Sequence, residues 1–131
     1  MPMIPHGYRD LFEKPTVAHV VTLNEDGSPH ATPVWIDYDE ASDRVLVNTE
    51  RHRRKTWNVQ ARPDVAVSLT DPGDPYRWLS ITGTVEDVTT NGAREHIDEL
   101  ARRYMDVESY PNEIESERVK LLVRADEVLT G

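Results

Sequence analysis

Six short segments rich in β-branched residues, separated by turn signals, limit the fold of this chain more than any other feature. The first two flank Asp26 and Gly27, a dipeptide whose glycine can take the positive φ of a hairpin turn. Consecutive antiparallel hairpins close most readily into a small barrel with helices packed outside it. The sequence predicts a mainly β fold with some α structure and six strands, at 16–23, 30–38, 44–49, 64–70, 76–88 and 118–129.

Three segments break the strand alternation and are predicted to be helices, over 8–14, 53–61 and 92–105. The third has apolar residues at helical spacing along one face, with Asn91 as its expected N-cap. The stretch 109–117 between this helix and the last strand is acidic and is predicted to be a loop. Helices and strands in this order favour a barrel with its helices on the outside.

Two residues inside the predicted strands indicate local irregularity. Gly83 indicates a bend or bulge in the fifth strand. Pro33 cannot donate to a ladder, so it indicates an edge, a bulge or a place where a ligand takes the neighbouring groups. The stretch 71–75, which contains two prolines and a glycine, is predicted to be a loop.

Length and composition predict one compact domain over 1–131, since 131 residues with 37% hydrophobic side chains suffice for a single core. The chain has no cysteine, which excludes disulfides, thiol nucleophiles and cysteine-based metal sites. The five histidines show no metal-binding spacing, so no metal site is predicted. Without an apolar run of membrane length or a signal-like start, the protein is predicted to be soluble and cytoplasmic.

The charge distribution is uneven. The net charge is −9, and repulsion of this kind disfavours nucleic acid or an anionic membrane as a partner. The segment 51–62 nevertheless holds five positive charges and no acid. Such a basic segment on an acidic protein suits a small anionic ligand better than a polymer.

The same segment carries the most informative candidate site. Asn48 and Thr49 end a predicted strand, and cations open the helix that follows, where acids are normally favoured by the amide dipoles. Phosphate recognition uses this combination of helix-start amides, a guanidinium fork and an ammonium, and the hydroxyls of Thr49 and Thr56 could add donors. A solvated cationic patch without a ligand remains the alternative at this point.

Several common chemistries lack their motif. No Gly-x-Ser-x-Gly elbow is present, which argues against a serine hydrolase. Neither G-x-G-x-x-G nor a P-loop occurs, which excludes a Rossmann nicotinamide site and a P-loop NTPase. No catalytic residue is predicted.

Four motifs follow one another along the chain. They are Gly27-Ser-Pro-His-Ala-Thr-Pro-Val-Trp35, Val45-Leu-Val-Asn-Thr49, Arg54-Lys-Thr-Trp-Asn58 and Arg62-Pro-Asp-Val-Ala-Val67. Together they resemble the pyridoxamine 5'-phosphate oxidase-like split β-barrel family, and within it the flavin/deazaflavin oxidoreductase branch. The resemblance covers about residues 16–84.

The resemblance implies a six-stranded antiparallel split barrel that forms a homodimer, with two cofactors bound at the subunit interface. It also implies the cofactor contacts. The ring would lie along Thr32, Pro33, Val34 and Trp35, the ribityl chain beside Val47, Asn48 and Thr49, and the phosphate on Arg54 and Lys55, with Asn58 behind them and Trp78 of the second chain closing the site.

The second strand distinguishes the cofactors that the resemblance allows. Oxidases of the family that use FMN typically have an Arg and a Lys there, whereas this chain has Thr32 and Asp37. Coenzyme F-420, a deazaflavin whose phosphate continues into an acidic tail, is therefore predicted, and Arg51 and Arg53 would suit that tail. The expected reaction transfers a hydride between this cofactor and a small unsaturated or conjugated substrate. The proton that completes a reduction is expected from solvent or from a tyrosine such as Tyr104. An FMN oxidase or reductase, and a non-catalytic flavin, deazaflavin or haem-binding module, are the alternatives.

Overall fold

The computed structural model describes residues 4–131. Within them the chain forms six strands, two α-helices and one 3-10 helix. In chain order these are the 3-10 helix (His6–Phe12), β1 (Val17–Leu23), β2 (Pro29–Asp39), β3 (Arg44–Glu50), α1 (Arg54–Ala61), β4 (Asp64–Asp71), β5 (Asp74–Thr89), α2 (Ala93–Met105) and β6 (Arg118–Thr130).

The six strands form a closed antiparallel barrel in the order β1-β2-β3-β6-β5-β4, which confirms the predicted fold class. Side chains alternate between core and surface along each strand, because successive Cβ atoms of a strand point to opposite faces. Val20, Val67, Ile81 and Leu121 are examples of the fully or almost fully buried inward residues. The barrel interior is therefore a packed hydrophobic core.

Strand β2 changes its partner in mid-course. Residues 29–35 pair with β1, whereas residues 36–39 pair with β3. The edge of 29–35 that faces away from β1 is consequently free, and the barrel is split at this point. Pro33 lies opposite His19 in this free-edged stretch, which confirms the edge that a proline requires.

Strand β5 bends where the sequence predicts it. The register between β5 and β6 shifts at Thr82 and Gly83, and a Cβ on Gly83 would meet the backbone oxygen of Arg124. Only glycine therefore allows the two strands to approach this closely. The turn before β5 is tighter than the predicted loop, because the Asp71 carboxylate accepts the Gly73 N–H over 2.8 Å and β5 already begins at Asp74.

Helix α2 packs its apolar face against the barrel, with Ile97 and Leu100 among its buried residues. The prediction that Asn91 caps α2 is wrong. The N-cap is Gly92, in the left-handed region at φ 71°, and it makes no side-chain capping bond. Neither α-helix in the described part of the chain has the length and apolarity needed to cross a membrane.

The C-terminal end of α2 holds β2 at the point where it changes partners. The Tyr104 hydroxyl accepts the Ile36 N–H over 3.0 Å and donates to the Thr16 carbonyl over 2.5 Å. It therefore bridges the two strands just beyond the last β1–β2 pair, Val17 with Trp35. Arg103 donates to the carbonyls of Phe12 and Ile36, so two α2 side chains keep the split in place.

Candidate functional site

A groove of about 380 Å³ lies at the split in the barrel, between the free edge of β2 and the end of β3. Its lining residues come from four strands, both helices and the segment before β6, and three of them are cations with no acid among them. They are Val17, Pro33, Val34, Trp35, Asn48, Thr49, Arg53, Lys55, Ile97, Tyr110, Asn112 and Arg118.

One end of the groove is cationic. Lys55 lies in the first turn of α1, beside Arg53 and Arg118. Burial lowers the pKa of the Lys55 ammonium, and the neighbouring charges of Arg53 and Arg118 lower it further. No residue within 4–131 forms a hydrogen bond or ion pair with this ammonium. The three cations, which we call the groove cations, therefore leave an excess of positive charge that an anion would relieve.

The start of α1 adds to this positive end. Arg53 is its N-cap, with extended backbone and no side-chain capping bond, and the first turn contains no acid. The amide dipoles at a helix start favour an anion there. The Thr56 hydroxyl, expected from the sequence as a further donor, is instead used within the protein, since it donates to the Glu50 carbonyl over 2.9 Å.

Arg118 is the most buried of the groove cations. Its Nε donates to Oδ1 of Asn48 over 2.9 Å, and its guanidinium lies over the ring of Tyr110, 5.3 Å from the centroid. Burial lowers the pKa of Arg118, an effect that Tyr110 and Glu50 partly oppose. The side chain is thus held in one position at the edge of the groove.

Asn48 supports Arg118 from behind. Its amide nitrogen donates to the Ala93 carbonyl over 2.8 Å and to Nδ1 of His96 over 3.1 Å. Since Nδ1 accepts, His96 is the tautomer with its proton on Nε2, which donates to the Asp37 carboxylate over 2.9 Å. Every polar atom of the Asn48 side chain is therefore engaged, and its role is to orient Arg118.

The other end of the groove is aromatic and apolar. Trp35 stacks on Tyr104 with ring centroids 5.0 Å apart and 14° between the planes. Tyr110 meets Trp35 edge-on at 6.1 Å, and Val34 and Ile97 complete the wall. Flat apolar walls of this kind suit a planar ring.

Tyr104 is not placed to act as a proton donor. Its hydroxyl proton is directed at the Thr16 carbonyl, and burial raises the pKa of the phenol. The tyrosine suggested by the sequence is therefore a structural residue, and its hydroxyl faces the strands rather than the groove.

The structure brings six of the eleven predicted cofactor-binding residues together at the groove, namely Pro33, Val34, Trp35, Asn48, Thr49 and Lys55. Thr32 lies two residues before Val34 on the same face of β2. Its Oγ1 is buried without a hydrogen-bond partner among the described residues. A buried hydroxyl without a partner, on the strand that lines the groove, fits a bound polar group.

Four other predicted residues lie outside the groove lining. Val47 is fully buried in the core, and Asn58 ties α1 to the β1–β2 hairpin by donating to Thr22 Oγ1 and Asn24 Oδ1, each over 3.0 Å. Arg54 is exposed on another side, near Asp26. Trp78 lies on the outer face of β5 and is 37% exposed, and its assignment to the site of a second chain stays a prediction.

Sequence reasoning missed Val17, Ile97, Tyr110, Asn112 and Arg118 as lining residues. Arg118 matters most, because it comes close to Lys55 only through the pairing of β3 with β6, in which Glu50 lies opposite Arg118. The one available signal was a basic residue opening a strand directly after an acidic loop. No group of three or more metal-ligating side chains occurs within the described residues.

The barrel and the groove at its split define a class of protein, the split β-barrels. The model of the family described as pyridoxamine 5'-phosphate oxidase matches residues 4–130. The chain belongs to the pyridoxamine 5'-phosphate oxidase family, as its motifs predict. Among curated proteins, none matches the chain.

Solved structures agree with this assignment. An F-420 reductase is 31% identical, with a TM-score of 0.84, and the match covers 96% of this chain and 98% of that one. A conserved hypothetical protein from Mycobacterium tuberculosis is 19% identical, with a TM-score of 0.76 and coverage of 98% and 84%. HupZ from Group A Streptococcus is 17% identical, with a TM-score of 0.70 and coverage of 98% and 94%. The last two show the fold alone.

Proposed function

We propose that the protein is a deazaflavin-dependent oxidoreductase that uses coenzyme F-420. The observation that carries this proposal is the groove itself, in which an unpaired ammonium and two guanidinium groups adjoin a wall of aromatic and aliphatic side chains. A phosphate-bearing planar cofactor combines the two chemistries that these ends recognise. The 31% identity to an F-420 reductase supports the deazaflavin over other planar cofactors.

In this proposal the two ends of the groove bind different parts of the cofactor. Lys55, Arg53 and Arg118 bind the phosphate, while Trp35 and Val34 lie along the ring. When bound, the reduced deazaflavin supplies a hydride to an activated double bond of a small unsaturated or conjugated substrate. The protein orients the two partners and excludes water, as cofactor enzymes do. The proton that completes the reduction comes from solvent, since the Tyr104 hydroxyl is engaged.

The proposal includes a cytoplasmic homodimer with the cofactor between the subunits. Val17 borders the groove and is 51% exposed, and Trp78 and Leu129 are also exposed on the outer face. Large apolar side chains in such positions favour a protein partner. Sedimentation analysis of the purified protein tests this part, and a monomer at micromolar concentration would refute it.

FMN is the second candidate, and the charge of the site favours it as an alternative. Three groove cations and one neighbouring carboxylate, Glu50, leave two positive charges. This matches a terminal phosphate, which carries a charge close to −2 at neutral pH.

The test is a parallel titration of ligand-free protein with coenzyme F-420, FMN and riboflavin, followed by tryptophan fluorescence. We expect F-420 to bind most tightly and riboflavin, which lacks the phosphate, to bind weakly. Lys55→Ala should weaken F-420 binding by about 1.5–3 kcal/mol, the usual cost of a lost charged hydrogen bond. Lys120→Ala is the matched control, because Lys120 lines a different pocket.

The outcomes separate the candidates. Tighter binding of FMN than of F-420 would move the assignment to an FMN protein. Binding of F-420 without oxidation of its reduced form, across a panel of conjugated acceptors, would favour a carrier over an enzyme. Binding of neither cofactor would refute the site assignment.

A further inference from the structure

Glu50 is a buried carboxylate between the groove cations and the segment before β6. It is the last residue of β3, and only 2% of it is exposed. Burying a charge is costly unless it is paired and hydrogen-bonded. The question is therefore what each of its two oxygens does.

Oε1 of Glu50 holds the segment before β6. It accepts the N–H groups of Glu115 and Ser116 over 2.8 and 2.7 Å, and the Ser116 hydroxyl lies 3.4 Å away. These bonds fix the chain between Tyr110 and Arg118, both of which line the groove.

Oε2 of Glu50 faces the groove cations. It lies 3.6 Å from Nη1 of Arg118 and 3.8 Å from Nη2 of Arg53. Within residues 4–131, no other carboxylate forms an ion pair with a groove cation. Glu50 therefore removes one of the three positive charges from the end of the groove where an anion would bind.

Glu50 is ionised at neutral pH despite its burial. Burial raises the pKa of the carboxyl, but the N–H groups of Ser116 and Glu115 and the charge of Arg118 outweigh it and bring the pKa below its ordinary value. A phosphate seated on Arg53 and Arg118 would share their charge with Oε2 and be repelled by it.

We propose that Glu50 limits the affinity of the groove for its anionic ligand, because it competes with that ligand for Arg53 and Arg118. The proposal rests on the proposed function, in which these cations hold the phosphate of the cofactor. A cofactor that must leave to be reduced again elsewhere requires such a limit on affinity, whereas a permanently bound one does not.

The two oxygens allow one substitution to separate their roles. In Glu50→Gln the amide oxygen can take the place of Oε1 and keep the bonds to Glu115 and Ser116. The uncharged amide nitrogen then replaces Oε2. We expect the Kd for coenzyme F-420 to fall on the order of tenfold, since a like charge a few ångströms from the ligand is removed. Riboflavin, which has no phosphate, should bind unchanged, and a general structural defect would instead weaken both ligands.

Glu113→Gln is the matched control, because Glu113 is an exposed carboxylate in the segment before β6 that forms no ion pair within residues 4–131. It removes the same charge nearby and should leave the Kd for F-420 within twofold of the wild type. Unchanged or weaker F-420 binding by Glu50→Gln, with riboflavin binding intact, would overturn the inference.

Inorganic phosphate provides a probe that does not depend on the identity of the cofactor. At constant ionic strength it should raise the Tm of Glu50→Gln more than that of the wild type. If neither F-420 nor FMN binds but phosphate gives this result, the proposed function fails and the inference stands. If F-420 binds but phosphate stabilises both proteins equally, the inference fails alone.

A measurement on the wild type serves if Glu50→Gln does not fold. Phosphate and the ionised carboxylate of Glu50 compete for the same two arginines, and the coupling between them is reciprocal. Bound phosphate must therefore make Glu50 harder to ionise. The carboxyl resonance of Glu50, followed by NMR as the pH is lowered, should titrate at a higher pH in saturating phosphate. An unchanged midpoint would overturn the inference.

Discussion

Nε of Arg118 donates to Oδ1 of Asn48 across 2.9 Å, and this bond ties the cationic end of the groove to helix α2. The amide of Asn48 continues to Ala93 and His96, both on α2. A shift of α2 at Ala93 or His96 would therefore be passed through Asn48 to Arg118, which lines the groove.

Asn48→Ala should both destabilise the protein and weaken binding of the anion. The substitution leaves Arg118 Nε and His96 Nδ1 without partners, and each buried group left unpaired costs about 1–3 kcal/mol. We expect a loss of about 2–4 kcal/mol in urea unfolding, the size usual for a broken buried network. Asn112→Ala, an exposed lining residue, is the control and should change stability little.

Tyr104→Phe should cost stability without affecting hydride transfer. Loss of the hydroxyl leaves the Ile36 N–H and the Thr16 carbonyl unpaired, which we expect to cost about 1–3 kcal/mol in chemical denaturation. The rate of single-turnover oxidation of reduced F-420 should stay within threefold of the wild type. A large fall in that rate in folded protein would show that the phenol is the proton donor after all. Tyr76→Phe, at a side chain that is 87% exposed, is the stability control.

Lys55→Met should stabilise the ligand-free protein while weakening its preference for phosphorylated ligands. The pKa of Lys55 is lowered in the fold by burial and by Arg53 and Arg118, so its charged form is less favourable in the folded protein than in the unfolded chain. Removing that charge should add about 0.5–1 kcal/mol to the free energy of unfolding, as is common when strain at a binding site is relieved. A decrease in stability would indicate that the ammonium is paired in the folded protein.

The same lowered pKa predicts uptake of protons on binding. An anion beside Lys55 favours the ammonium and raises its pKa toward the ordinary value. Between the two pKa values, binding must therefore take up protons, and affinity must fall as the pH rises through that range. Calorimetry of F-420 binding at alkaline pH, in buffers of different ionisation enthalpy, measures this uptake. Lys55→Met should abolish it.

Acid should loosen the attachment of the 3-10 helix to the barrel. The hydrogen bond from Arg77 lowers the pKa of Asp10 to about 2, while burial opposes it. Because the folded pKa is below the ordinary 3.8, the stabilisation is present above about pH 4 and is lost as the pH falls toward 2. Asp10 is partly exposed, so we expect less than about 1 kcal/mol. Urea midpoints between pH 2 and 5 should fall less steeply with acid in Asp10→Asn than in the wild type. Asp87→Asn, at an exposed site, should keep the wild-type slope.

The strands could be predicted from the sequence because their core is built by alternation. Val65, Val67 and Leu69 occupy one face of β4, and all three are buried. The start of α2 was harder to predict from the sequence. The N-cap is Gly92, which adopts a left-handed backbone conformation, and not the neighbouring Asn91. That choice depends on how the chain enters the helix from β5, which is not a local property.

The cationic site could be predicted only in part. Adjacent residues of an α-helix point about 100° apart, so Arg54 and Lys55 cannot both face one groove. Lys55 faces it and Arg54 does not, while the second and third cations come from the N-cap position and from β6. Arg118 is 63 positions beyond Lys55 by residue number and reaches the site only through the closed barrel.

The hydroxyl of Tyr104 also determines when the groove can form. Its partners Ile36 and Thr16 are 68 and 88 residues earlier in the chain, so these bonds close very long loops. Contacts of such long range form late in folding, because loop closure must precede them. During synthesis the first three strands emerge well before Tyr104 does. Until then the Ile36 N–H can donate only to water or to a non-native strand. Slow hydrogen exchange at Ile36 would accordingly mark the moment at which a folding chain becomes able to bind its ligand.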